Sequence, residues 1–258
     1  MRNMIVAGLA SVWLLAAQAD KPAPRTDKNS ELAHEQLLAK AKQGRIDVYF
    51  EGDSITRRWG ATDYPALLEN WNRNFHGWNA ADFGWGADRV ENILWRLENG
   101  ELDGIHPKVI VLLGGTNNIG NRIPPAGAAF VVENVTKGLQ AVLRVMQSKA
   151  PEATIIVTAI FPRNDNMEVM PIIDSINANL ARMADGKKLR YLDVNSQLAG
   201  PGGVLHDGMM NANDKLHPTL QGYQVWADAL KPILTELLGP PAREDQAPPP
   251  TGDPSARK

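Results

Sequence analysis

Five consecutive apolar residues, Val109-Ile110-Val111-Leu112-Leu113, run straight into Gly114-Gly115. The run has strand length and no polar alternation, so it reads as a strand buried on both faces, which needs a layer of helices above and another below. Thr154–Ile160 repeats that composition, and Val48-Tyr49-Phe50, Asn79–Phe83 and Tyr191–Val194 supply further strands. Helical patterns fall between them: about 30–43 with Ser30 as cap, 90–97 with Val90, Ile93, Leu94 and Leu97 at i, i+3, i+4 and i+7, then about 125–148, 167–184 and 219–238. Regular alternation of strand and helix predicts a mostly parallel sheet with right-handed crossovers, an α/β fold of the three-layer α/β/α sandwich type.

The 258 residues fit one domain, and 43% hydrophobic with 22% charged residues is ordinary globular composition. A net charge of −2 gives no basic footprint for nucleic acid. Residues 1–19 carry Arg2, an apolar run from Met4 to Ala17 and an Ala17-Gln18-Ala19 site, the pattern of a signal peptide cut before Asp20. That run is shorter than the roughly 20 residues of a membrane span, so a secreted or periplasmic protein without stable membrane insertion is expected. The chain has no cysteine, hence no disulfides. Residues 20–44 are expected as a mobile leader and first helix, 45–238 as the main domain, and the proline-rich 239–258 as a disordered tail.

The first strand stops at Gly52-Asp53-Ser54, which places Ser54 where a parallel sheet presents its C-terminal edge to ligands. A serine there is either a nucleophile or a simple helix cap. Gly84–Asp88 and Gly114–Asn118 reach the same edge after the next strands. The loop 195–218 holds two acid–histidine pairs, Asp214-Lys215-Leu216-His217 and His206-Asp207. In acyl transfer an acid fixes the imidazole tautomer and leaves the other ring nitrogen to activate a serine. The three-residue spacing favours Asp214 with His217 and leaves the second pair open.

In these blocks the chain resembles the SGNH (GDSL-type) hydrolase family: Gly52-Asp53-Ser54, Gly84–Asp88, Gly115-Thr116-Asn117-Asn118 and Asp214-x-x-His217 match its motifs in order. Asn92–Asn118 is similar to the platelet-activating-factor acetylhydrolase catalytic-subunit branch, and the resemblance covers about residues 45–238. It implies a flavodoxin-like sandwich and ester hydrolysis without metal or cofactor. Ser54 would be nucleophile, His217 base and Asp214 its partner. The oxyanion would be held by the N–H of Ser54, an N–H of the second block and the Asn117 amide. The family's second-block donor is generally a glycine just before the aspartate, and Ala87 stands there with Gly86 one residue earlier. A backbone N–H survives that exchange; only a positive φ makes alanine costly.

The function expected is that of an exported serine esterase acting on short-chain, acetyl esters of a glycan or small molecule. A lipid-directed acetylhydrolase is the alternative, and an inactive acyl-glycan binding module the reading from another class. Trp85, with Trp59 and Trp78, Asp53 and Arg163 are the candidate substrate contacts. His34, His76 and His106 lack ligand spacing, so no metal is expected.

Overall fold

A computed structural model describes residues 18–256. Five parallel strands, β1 (Val48–Gly52), β2 (Ala80–Asp82), β3 (Val109–Leu113), β4 (Thr154–Thr158) and β5 (Leu189–Leu192), form one sheet in the order β2-β1-β3-β4-β5. The helices are α1 (Lys28–Lys40), α2 (Ser54–Gly60), α3 (Pro65–Phe75), α4 (Val90–Arg96), α5 (Thr116–Ile119), α6 (Gly127–Lys149), α7 (Met170–Met183), α8 (Asn195–Leu198) and α9 (Leu220–Leu238).

The apolar strands sort their side chains by the period of two. Tyr49, Ile110, Leu112, Ile155 and Val157 point into one core with α1, α4, α6 and α7, whereas Val48, Phe50, Val109, Val111, Leu113 and Ile156 meet α2, α3 and α9 on the other face. The second core is aromatic: Phe50, Trp59, Trp71, Phe75 and Trp226 contact one another edge to face or stacked. The expected three-layer sandwich is therefore the observed one.

Several boundaries differ from the sequence reading. The first helix begins at Lys28 because Asp27 caps it, its carboxylate accepting from the Ser30 N–H at 3.0 Å; Ser30 lies inside and its Oγ accepts from Trp85 Nε1. The leader is docked: Ala19 is fully buried beside Gly138, its N–H donates to Asn134, and the Ala23 N–H donates to Glu91 C=O. The expected signal peptide lies, except for residues 18 and 19, outside the described residues. The segment after Gly239 is not a loose tail. It exchanges backbone and side-chain hydrogen bonds with Gly77, Arg45, Asn79 and Thr62, and Pro248 and Gly252 are buried, so main-chain pairing supplies what its composition lacks.

Candidate active site

The turn from β1 to α2 decides the geometry. Gly52 is squeezed between β3 and α2, where a Cβ would come within 2.3 Å of Leu113 C=O and 2.2 Å of Thr56 Oγ1. Asp53, not Ser54, caps α2, its Oδ1 accepting from the Ile55 N–H at 2.9 Å. Ser54 is thereby the first residue of the helix, half-buried, with its N–H among the unpaired first-turn donors.

His217 reaches Ser54 from the loop before α9: Ser54 Oγ lies 2.9 Å from Nε2, and Nδ1 lies 2.9 Å from Asp214 Oδ2. Asp214 Oδ1 accepts from the N–H groups of Leu216 and His217, both at 3.0 Å, so one carboxylate fixes the loop and the ring together. Lys215 takes φ +49° to allow that turn. Burial pushes the Asp214 carboxyl up, but those N–H groups and the imidazole together hold it below the usual range. Burial lowers the His217 pKa below 6.5; the Asp214 hydrogen bond opposes this, while Arg58 and Arg163 add to it. His206 and Asp207, the rival pair, are both exposed.

The second block is a tight turn, with the Asp88 N–H on Trp85 C=O at 3.3 Å and Ala87 at φ +62° in its third position. Glycine is the usual residue there. Ala87 therefore takes a conformation that favours glycine, at the position where the resemblance expects one. Asn117, on α5, donates Nδ2 to Asp88 C=O at 2.8 Å, tying the third block to the second. Asn118 caps α4, accepting from the Val90 N–H at 2.8 Å. Gly115 turns the chain into α5 at φ +115°.

The five substrate candidates all take structural places instead. Trp85 is buried, bonded to Ser30 and faced by the Arg57 guanidinium at 4.7 Å; Trp59 lies in the aromatic core, and Trp78 bonds Gly239 C=O. Large aromatic rings gain more from burial than from a solvent-facing rim. Arg163 is buried too, forking onto Asp165 at 2.7 and 2.5 Å and donating to Thr116 C=O at 3.1 Å and Oγ1 at 2.9 Å, so it braces the third block. Asp53 is a buried cap with its carboxyl pushed up to about 7 by burial.

Two arginines escaped the sequence reading. Arg96 is buried among Glu51 (2.6 Å), Asp88 (2.7 Å) and Glu101, and so anchors the second block from beneath. Arg58 stands one helical turn after Ser54, its Nη1 3.7 Å from Asp214 Oδ2. Only that i, i+4 spacing from Ser54 was visible in the sequence.

The model of the GDSL-like lipase/acylhydrolase family matches residues 50–225, which include the whole constellation. The chain belongs to that family. As a GDSL-like acylhydrolase it is a hydrolase acting on ester bonds. It is 30% identical over 245 residues to platelet-activating factor acetylhydrolase IB subunit alpha1 of Bos taurus, covering 92% of this chain and 97% of that one. The Homo sapiens subunit alpha1 is 31% identical over 229 residues, 85% and 90% of the two chains. A GDSL-like lipase of Bacteroides thetaiotaomicron superposes with a TM-score of 0.58 at 15% identity over 80% of this chain and all of that one. A carbohydrate esterase family 3 structure from Talaromyces cellulolyticus gives 0.52 at 16% identity over 74% and 97%. These two likenesses bear on the fold.

Proposed function

We propose that this GDSL-like hydrolase is an exported serine esterase that removes short acyl groups, acetyl first, from a glycan or small-molecule alcohol, with Ser54, His217 and Asp214 as its triad. The observation that carries this is the unbroken chain of contacts from Ser54 Oγ through His217 to Asp214, 2.9 Å at each step. His217 Nε2 takes the Ser54 proton as Oγ adds to the ester carbonyl. The oxyanion is met by the N–H groups of Ser54 and Ala87 and by the Asn117 amide, and collapse expels the alcohol with the proton from His217. Water then repeats the sequence on the acyl-enzyme. His217, held neutral by burial, is ready as a base at neutral pH.

The acetyl preference is supported by the relatives named as platelet-activating factor acetylhydrolase subunits. The glycan preference is supported by the expected export and by the carbohydrate esterase among the structural neighbours. Those acetylhydrolase relatives also favour the second reading, a lipid-directed acetyl ester. No helix among the described residues is long and apolar enough to cross a membrane. A panel of p-nitrophenyl esters of increasing chain length, acetylated glycans and acetylated lipids, run against wild type and Ser54→Ala, tests the proposal. Turnover restricted to acetyl and propionyl esters and absent in Ser54→Ala is expected; near-wild-type turnover by Ser54→Ala would sink it.

A further inference from the structure

Arg58 has no place in the constellation just described, yet its position is constrained. It lies four residues after Ser54 in α2, so both side chains leave the same face of the helix. Its guanidinium rests over the Tyr64 ring, 5.4 Å from the centroid, and its Nη1 stands 3.7 Å from Asp214 Oδ2, the oxygen that also receives His217 Nδ1. That distance exceeds hydrogen-bond reach, so the coupling is of charge with charge. Both side chains are only part-buried, 28% and 36% exposed.

We propose that Arg58 is a positioning residue of the triad: its charge, fixed over Tyr64, keeps Asp214 the unprotonated acceptor of His217 Nδ1–H and keeps the imidazole neutral, with Nε2 free for the Ser54 proton. The inference rests on the esterase reading of the site. The charged groups facing His217 are Asp214 on its own loop, Arg58 from α2 and Arg163 from the segment after β4. Arg163 is already forked onto Asp165, so Arg58 is the cation whose removal changes the field most. Arg58 lowers the His217 pKa and Asp214 raises it; with Arg58 gone, the imidazole protonates more readily.

The test is the pH dependence of kcat/KM for an aryl acetate, measured for wild type, Arg58→Gln and Arg58→Lys, with thermal melts to verify the fold. A partly screened charge a few ångströms away changes basicity roughly three- to tenfold. The acid limb of Arg58→Gln should therefore move up by about 0.5 to 1 pH unit, with a loss of activity several-fold larger at pH 5.5 than at pH 8. Arg58→Lys, which keeps the charge, should bring the limb back toward wild type. A limb unmoved in Arg58→Gln, or moved equally in Gln and Lys, overturns the proposal and leaves Arg58 as packing on Tyr64. Ser54→Ala run alongside separates this from the esterase reading: retained turnover there defeats the triad itself, whatever Arg58 does.

Discussion

Replacing Ala87 by glycine should stabilise the protein without changing its chemistry. Ala87 sits at φ +62°, and the left-handed region costs an L-residue about 1–2 kcal/mol. Its side chain is exposed, so deleting the methyl forfeits no burial. Against the relief stands the greater freedom of glycine in the unfolded chain, about 0.4–1 kcal/mol. The net is a gain of about 0.5–1 kcal/mol, which for a chain of this length moves Tm up by roughly 1–4 °C. Glycine retains the backbone N–H, the proposed oxyanion donor, so kcat on an aryl acetate should stay within about twofold. Paired melts and initial rates on Ala87→Gly and Ala87→Pro decide the matter. Proline cannot adopt the positive φ and removes the donor, so that variant should be crippled. Gly86→Ala is the reciprocal control: a Cβ there meets nothing within 4 Å, and little should change. A lower Tm in Ala87→Gly refutes the strain argument. An unchanged Tm with a tenfold slower turnover would show that the methyl itself touches the substrate.

Asp214→Asn should lose on the order of 10⁴ in kcat by favouring the wrong imidazole tautomer, while the exposed Asp207→Asn stays near wild type; the reverse ranking in steady-state assays would move the dyad to the other pair. Asn117→Ala should cost roughly 100- to 1000-fold in kcat with little change in KM, as for loss of one oxyanion donor, and a loss confined to KM would argue against that role. Asp53 has a folded pKa of about 7, raised by burial from 3.8, so between those values the folded state holds the extra proton and stability falls as pH rises. Asp53→Asn keeps the cap and removes the titration, so urea melts should show it gaining on wild type from pH 5 to pH 8; an equal difference at both pH values would contradict this.

The sandwich was legible because β3 and β4 are continuous apolar runs, a composition that few other positions in a fold accept, and because each is followed by a helix-period segment. Ser54 and the Asp214–His217 pair were legible as site residues because Gly52-Asp53-Ser54 and Asp214–His217 are compact local motifs. What escaped was decided by partners distant in sequence. Arg163 reads as a substrate contact until Thr116, 47 residues earlier, is brought beneath it, and so does Trp85 until Ser30, 55 residues earlier, accepts its N–H. The leader and the C-terminal segment failed for a related reason. Composition reports how little apolar surface they bury, whereas their hold on the domain is through backbone groups, which every residue but proline carries in full.

That C-terminal segment lies along β2, the three-residue strand at one end of the sheet order. Asp245 and Ala247–Pro250 border the same crevice as Ala80, Ala81 and Asp82. A terminal strand offers unpaired N–H and C=O groups to any extended chain that drifts against it, the usual route to intermolecular sheet growth. Here the neighbour is part of the same polypeptide, and Pro248, Pro249 and Pro250 have no N–H with which to pass the ladder on. The stretch whose composition is least suited to a core thus flanks that end of the sheet with residues that cannot extend its ladder.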